Sequence, residues 1–170
     1  MTSYACRLRA VNVGGTGKLP MAELRAMCEA AGFTDVRTYI ASGNVVLRSA
    51  SSAPQVQATL EAALAGYAGK PVAVLVRTAA EMAAVLDANP FPGAAPNRTM
   101  VIFLDQPPSP DALDAATGQA GEQLALGRRE IYVHYPHGMG DSKLKIPGAQ
   151  AGTARNLNTV AKLVGMVANP

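Results

Sequence analysis

The most informative stretch of the sequence is Arg7-Leu8-Arg9-Ala10-Val11-Asn12-Val13-Gly14-Gly15-Thr16-Gly17-Lys18. Alternation of apolar and other residues predicts a strand over residues 4–11, and because alternate residues of a strand share a face, Arg7 and Arg9 point the same way. A loop is predicted over residues 14–19, and Pro20 suits the first position of the helix predicted to follow. The stretch therefore predicts a strand, a glycine-rich turn and a helix.

The remainder of the first half continues this alternation of elements. Apolar residues recur at helical spacing from Met21 until Gly32, which ends the helix. A strand over 35–40, a short turn at Ser42 and Gly43 and a strand over 44–48 follow. A helix over 53–67 and a strand over 71–77 complete the order β-α-β-β-α-β. We therefore predict an α+β fold of ferredoxin-like split β-α-β type, an antiparallel sheet with two helices on one face and the other face open.

The second half is predicted to be a smaller ferredoxin-like α+β unit. Thr78 and Glu81 have the spacing of a capping box, which favours a connecting helix over 78–88 before a proline-rich stretch. Beyond it we predict a strand over 99–104, a helix over 111–116, hairpin strands over 122–126 and 130–135, and a helix over 154–166. Thr153 is predicted to cap this last helix. This order lacks a last strand. The predicted division is a subdomain over 1–77, a connecting helix and linker over 78–98, and a second subdomain over 99–170.

The composition excludes several classes of protein. Of the 170 residues, 49% are hydrophobic and 16% are charged, as in globular rather than disordered chains. The net charge of +3 permits an acidic partner without requiring one. Cys6 and Cys28 are predicted to be buried apolar residues, and with two histidines they give no zinc spacing, so neither a metal nor a cofactor is expected. No apolar run of 18 residues or leader pattern occurs, so we expect a cytoplasmic protein without membrane association. The oligomeric state is not determined by these features.

Basic side chains cluster on the predicted open face of the first sheet. Strand parity places on it Arg7, Arg9, Arg37, Tyr39, Arg48 and Arg77. Guanidinium groups bind phosphate or carboxylate with two parallel hydrogen bonds, so this face would attract anions. The alternative is that these arginines are solvated or paired with acids of the second half.

The glycine-rich turn is similar to a nucleotide-binding P-loop, but it does not match the P-loop motif. That motif needs a glycine at position 12 and a serine or threonine at position 19, where this chain has Asn12 and Leu19. A flexible turn and an anion-binding nest of backbone N–H groups beside Lys18 remain as alternatives.

The C-terminal segment supplies a second group of donors. Arg155 and Asn156 lie in the first turn of the predicted last helix, and no acid follows Asp141. Lys143 extends the basic character upstream. Donors without acids at a helix start suit an anion, although a solvated helix face is an equal alternative. His134 and His137 are interpreted as surface residues.

Five sequence blocks together resemble a known family. They are Arg9-Ala-Val-Asn12-Val-Gly14-Gly15, Met21-Ala-Glu-Leu24, Thr38-Tyr39-Ile40-Ala-Ser42-Gly43-Asn44-Val45-Val46, Ser142-Lys143-Leu144 and Thr153-Ala154-Arg155-Asn156-Leu157-Asn158-Thr159-Val160. In combination they resemble the bacterial domain of unknown function 1697, and the resemblance extends over nearly the whole chain. It implies a ferredoxin-like α+β fold. It brings no established activity, and therefore no catalytic residues.

The function that the sequence favours is binding of an anion, a nucleotide or another phosphorylated small molecule. The predicted ligand-binding residues are Arg7, Arg9, Asn12, Gly14, Gly15, Lys18, Ser42, Asn44, Lys143, Arg155 and Asn156. One alternative is binding of single-stranded nucleic acid on the open sheet, where Tyr39 is the one side chain able to stack on a base. Another is an enzyme of unassigned reaction that uses Lys143 or Lys18. The catalytic residues of such an enzyme are unknown.

Overall fold

The structure is a computed structural model, and it describes residues 1–9, 20–39 and 43–168. It is a mixed α+β protein with two four-stranded antiparallel sheets and, within the described ranges, four α-helices. The chain forms two compact units. The first contains Met1–Ala83 and Leu163–Pro170, and the second contains Ala84–Lys162. The predicted division at residues 77 and 98 stays a prediction, and the compact units place residues 163–170 with the first.

The first unit has the predicted element order β-α-β-β-α-β. Its elements are β1 (Thr2–Leu8), α1 (Met21–Ala30), β2 (Thr34–Tyr39), β3 (Asn44–Ser49), α2 (Ala53–Ala68) and β4 (Val74–Thr78). The strands are ordered β2-β3-β1-β4, and each neighbouring pair is antiparallel. Gly43, which precedes β3, has a φ of 80°, as the predicted turn requires.

One face of this sheet packs against α1 and α2. The core there joins Cys6 and Leu8 of β1 to Cys28 of α1 and Leu60 of α2. Local sequence fixes the ends of α2: Ser52 and Gln55 form a capping box at its start, and Gly69 adopts a left-handed conformation at its end. Both cysteines are free and buried, as predicted.

The second face of the first sheet is buried around Arg7, Asn44 and Arg77, so the prediction of an open face is wrong there, whereas Arg37, Tyr39 and Arg48 are half-buried. The predicted parity is right, because Arg7 lies opposite Asn44 and Ala5 lies opposite Arg77 across the strands. Arg7 and Asn44 are 0% exposed and Arg77 is 1% exposed.

Two further helices of the chain contribute to this burial within the first unit. They are α3 (Ala79–Asp87) and α4 (Leu157–Ala168). Nη1 of Arg7 donates to Sδ of Met82 at 3.2 Å, and Nη2 of Arg37 donates to the carbonyl oxygen of Met166 at 2.6 Å. Both acceptors belong to the first unit. The arginine side chains of this face therefore contact protein atoms that are distant in sequence.

The second unit repeats the strand order of the first. Its strands are β5 (Thr99–Phe103), β6 (Gln123–Leu126), β7 (Glu130–His134) and β8 (Thr153–Asn156). The order is β6-β7-β5-β8, with all neighbouring pairs antiparallel. The predicted hairpin of β6 and β7 is confirmed. The prediction that this half lacks its last strand is wrong, because β8 pairs with β5.

The start of the last helix also differs from the prediction. Residues 153–156 are in a strand, and α4 begins at Leu157. Its cap is Asn156, whose Oδ1 accepts a hydrogen bond from the backbone N–H of Thr159 at 2.9 Å, and not Thr153. The backbone groups of residues 153–156, which the predicted helix would have used in its first turn, belong instead to the antiparallel pairing of β8 with β5.

Short 3-10 helices stand where the first unit has α1 and α2. The predicted helix over 111–116 is a 3-10 helix over Ala112–Ala115, and a second one covers Pro147–Ala149. They pack near the cluster of Leu104, Ile131 and Val133 on one face of the second sheet. On the other face Tyr132 is buried, and its hydroxyl donates to the carbonyl oxygen of Val85 at 2.7 Å.

Candidate functional site

Four strand ends of the first unit meet at one end of the sheet, which we call the loop end. The backbone N–H of Leu8 donates to the oxygen of Gly43 at 2.9 Å, and that of Arg9 donates to the oxygen of Ala73 at 2.9 Å. Tyr39 at the end of β2 pairs with Asn44 at the start of β3. Because α1 ends four residues before β2 begins, it runs back along the sheet and starts near this same end.

The predicted ligand-binding residues of the first unit differ in exposure. Arg9 is exposed, whereas Arg7 and Asn44 are fully buried. Nδ2 of Asn44 donates to the carbonyl oxygen of Tyr39 at 3.2 Å, which ties the end of β2 to β3. Arg7 and Asn44 are neighbours across the strands, so the structure brings these two predicted residues together beneath the loop end.

The other predicted residues of this half are Asn12, Gly14, Gly15, Lys18 and Ser42, and they lie outside the described residues. The segments that carry them are residues 10–19 and 40–42. The first is joined to the described chain at Arg9 and Pro20, and the second at Tyr39 and Gly43. Three of these four junctions are strand ends at the loop end, and the fourth is the start of α1.

Arg155 and Asn156 lie on β8 of the second unit. Burial lowers the pKa of the Arg155 guanidinium to about 10, because the charged form loses contact with water. Its Nη1 donates to the carbonyl oxygen of Ala154 at 2.8 Å. Oδ1 of Asn156 is used by the cap of α4. The convergence of Arg9 with Arg155 on one ligand stays a prediction.

Lys143 lines a cavity of about 350 Å³ within the second unit. We call it the crossover cavity, because its walls come from the β5–β6 and β7–β8 connections. It is lined by Gly118, Ala120, Glu122, Pro136, His137, Gly138, Asp141, Ser142 and Lys143. The lining thus contains two carboxylates, a lysine, a histidine and a serine hydroxyl.

Glu122 is the buried charged residue of this cavity. The residue is 7% exposed, Oγ of Ser142 donates to Oε2 at 2.6 Å, and the backbone N–H of Ala120 donates to Oε1. The Ser142 hydrogen bond first, then the backbone hydrogen bonds and the charge of His137, hold the pKa of Glu122 below its usual range. The carboxylate is therefore ionised at neutral pH.

Backbone contacts fix the walls of the crossover cavity. Thr117 and Lys145 exchange backbone hydrogen bonds of 2.9 and 2.8 Å. Gly118 has a φ of 72°, and a Cβ at this position would overlap the carbonyl oxygen of Lys143 and lie 2.7 Å from its carbonyl carbon. The two connections are thus held in close contact, and only glycine fits at position 118.

The sequence pointed to part of this cavity. Lys143 was a predicted ligand-binding residue, and Ser142 and Lys143 belong to one of the family-like blocks. No sequence pattern indicates that Glu122 belongs to a site, because its contact with Ser142 spans 20 residues and follows no periodicity. His137, interpreted from the sequence as a surface residue, is exposed and lines the cavity.

Two broader properties concern only the part of the chain that the structure describes. There, no three or more His, Cys, Asp or Glu side chains are grouped so that they could hold a metal ion. None of the helices in residues 1–9, 20–39 and 43–168 is long and apolar enough to span a membrane.

Comparison with known proteins places the chain in a family. A solved structure with the same fold is that of the conserved bacterial protein SP0830 from Streptococcus pneumoniae, with a TM-score of 0.82, 26% sequence identity, and coverage of 98% of both chains. No curated protein matches the sequence. The family model described as protein of unknown function, DUF1697, matches residues 1–132, which is most of the chain. The chain therefore belongs to the DUF1697 family.

Proposed function

We propose that this protein binds a small phosphorylated anion, such as a nucleotide, at the loop end of the first unit. The observation that carries the proposal is the exposed residue Arg9 at the end of β1, at the same end of the sheet as the start of α1. Arginine offers several N–H donors in the planar arrangement that phosphate oxygens accept.

The start of α1 adds to the attraction for an anion. Pro20 precedes the helix and provides no side-chain cap, so the first N–H groups are not satisfied by a capping side chain. The helix dipole places partial positive charge there. Glu23, in the first turn, is exposed and opposes the attraction by its charge. Arg9 and Glu23 therefore have opposite expected effects on anion binding, and variants of the two residues measure each effect.

The segments joined to the loop end carry the remaining predicted donors. Asn12, Lys18 and Ser42 provide an amide, an ammonium and a hydroxyl, and Gly14 and Gly15 permit close approach of the backbone to a phosphate. Buried Arg7 and Asn44 take the role of supporting residues beneath the ligand. Their burial excludes direct contact with solvent in the described structure.

Thermal shift with a panel of phosphate compounds tests the proposal. The panel holds inorganic phosphate, pyrophosphate, nucleoside mono- and triphosphates and sugar phosphates. A compound present at 100 times its Kd stabilises the folded state by about 2.7 kcal/mol, which corresponds to a Tm increase of roughly 5–10 °C for a chain of this size. We expect Arg9→Ala to abolish the shift and Glu23→Gln to increase it.

The matched control is Arg25→Ala. Arg25 is an exposed arginine of the same unit that forms an ion pair of 3.8 Å with the exposed Glu29 within α1. Its replacement removes the same charge, so it reports any general effect of net charge. Absence of a shift with every compound, or equal loss in Arg9→Ala and Arg25→Ala, contradicts the proposal. Arg155→Ala tests separately whether the second unit contributes to the same ligand.

The alternative function is binding of single-stranded nucleic acid on the first sheet, and the burial of the sheet face argues against it. Base stacking on a sheet requires accessible side chains on the central strands. On β1 and β3 the relevant residues Ala5, Arg7 and Val46 are at most 1% exposed. Tyr39 is half-buried on the outer strand β2. The anion proposal does not need this face to be open.

A further inference from the structure

We propose that the crossover cavity is a binding site for a small zwitterionic amino compound, with the ammonium group of the ligand against Glu122 and its acid group against Lys143. This site shares no residue with the loop end, and the proposal does not rest on phosphate binding there. The cavity lies wholly within the second unit.

The size and lining of the cavity define the class of ligand. About 350 Å³ is at the small end of the range for ligand pockets, roughly 300–1,000 Å³. Four lining residues are small or apolar: Gly118, Ala120, Pro136 and Gly138. The other five bear polar or charged side chains. Such a lining suits a compact polar molecule, not an extended aromatic one.

Glu122 selects an ammonium group. Its carboxylate accepts hydrogen bonds from Ser142 and from the backbone N–H groups of Ala120 and of Glu122 itself, and because a carboxylate has about four acceptor directions, acceptor capacity is left for a ligand. A buried carboxylate that faces a cavity gains most from a donor that also carries positive charge. Asp141 is exposed and lines the same cavity, and its negative charge also favours an ammonium group.

Lys143 and His137 select an acid group on the same molecule. Both are exposed residues of the lining, and both offer N–H donors. A purely anionic compound would place its charge near Glu122 and Asp141, and a purely cationic one would place it near Lys143. A ligand with both charges matches the mixed lining, which separates this site from a phosphate site.

The site is organised before any ligand arrives. The two connections are joined by the paired backbone hydrogen bonds of Thr117 and Lys145 and by the hydrogen bond of Ser142 to Glu122. Walls fixed in this way reduce the ordering that binding would otherwise require. Ser142 also accepts from the backbone N–H of Leu144 at 3.3 Å, so its hydroxyl acts as a positioning group for Glu122, not as a nucleophile.

Calorimetric titration of the full chain with the twenty common amino acids tests the proposal. Each amino acid that binds is compared with the amine that lacks its carboxylate and with the acid that lacks its amino group. We expect the amino acid to bind most tightly and the acid without an amino group not to bind. Glu122→Gln keeps the shape of the side chain, and we expect it to raise the Kd at least about tenfold, because a hydrogen bond to a charged group is lost.

Lys143→Met completes the design. Lys143 is exposed, so its replacement leaves folding intact, and we expect weaker binding of the amino acid but unchanged binding of the matching amine. Asp114→Asn is the control, because Asp114 is an exposed acid of the same unit outside the lining, and binding should match that of the unaltered protein. If Glu122→Gln does not fold, Ala120→Leu, which fills the cavity from an exposed position, must abolish binding.

Four results would overturn the proposal. They are no binding by any amino acid, equal binding of the acid that lacks an amino group, unchanged Kd values in Glu122→Gln and Lys143→Met, and retained binding in Ala120→Leu.

Discussion

Replacement of Gly118 by alanine should destabilise the second unit far more than replacement of Gly138 by alanine. Both glycines line the crossover cavity and both have positive φ, 72° for Gly118 and 82° for Gly138. They differ in the space around the missing Cβ. At Gly118 it would overlap the backbone of Lys143, whereas at Gly138 nothing lies within 4 Å. The pair therefore separates the cost of the backbone conformation from the cost of the overlap.

The expected magnitudes follow from these surroundings. Alanine in a left-handed conformation costs about 1–2 kcal/mol, and this applies to both variants. The overlap at Gly118 involves main-chain atoms, which cannot rotate away, so it adds about 1–3 kcal/mol, as for other overpacked sites. Gly118→Ala should thus be less stable than Gly138→Ala by about 1–3 kcal/mol. For a chain of this size the difference in Tm is roughly 2–12 °C.

Urea denaturation followed by circular dichroism measures the difference. Far-ultraviolet and near-ultraviolet signals report both units, since Tyr132 and Tyr135 lie in the second unit and the other three of the five tyrosines lie in the first. Hydrogen exchange of the Thr117 and Lys145 amides should also be faster in Gly118→Ala, because their paired hydrogen bonds are adjacent to the overlap. Equal stability of the two variants would refute the reasoning from the Lys143 contact.

Two further predictions concern ionisation. The pKa of Glu122 is lower in the folded protein than in the unfolded chain, so the unfolded chain binds more protons as the pH falls below the ordinary range of glutamate, and the folded state loses stability there. Urea denaturation between about pH 6 and about pH 3 should therefore show a smaller loss in Glu122→Gln, and an identical loss would contradict this. Burial raises the pKa of both thiols, that of Cys28 to about 12, so a disulfide reagent should react with Cys6 and Cys28 only after unfolding in urea, and rapid reaction of the native protein would show that one thiol is accessible.

The elements of the first unit were predictable because their signals are local. The capping box of α3 is an example: the backbone N–H of Thr78 donates to Glu81 at 2.9 Å, and the N–H of Glu81 donates to the hydroxyl of Thr78 at 3.1 Å. These contacts span three residues and are visible in the sequence. Strand β8 was missed because it has four residues, three of them not apolar, and its pairing partner lies about 50 residues earlier.

The buried face of the first sheet shows a different limit. Which side chains of a strand share a face depends on alternation, so the parity of Arg7 and Arg77 could be predicted. Whether the face is covered depends on segments that are distant in sequence. Met82 is 75 residues from Arg7, and Met166 is 129 residues from Arg37. Nothing in strand β1 indicates these contacts, and an arginine on a strand usually indicates solvent.

The contrast between the two units explains where the crossover cavity arises. Both sheets have the same strand order, so each has two connections that must pass over a neighbouring strand. In the first unit these connections contain α1 and α2, whose apolar faces fill the space above the sheet. In the second unit they contain only 3-10 helices, so residues 118–122 of one connection and residues 136–143 of the other are free to approach each other and enclose a polar volume. The strand order is therefore the same in both units, but the connections differ. In the second unit the connections do not have to fill a core, and their polar residues determine the chemistry of the cavity. This is also why periodicity could not find the cavity: its residues lie where the regular pattern of helix and strand is interrupted.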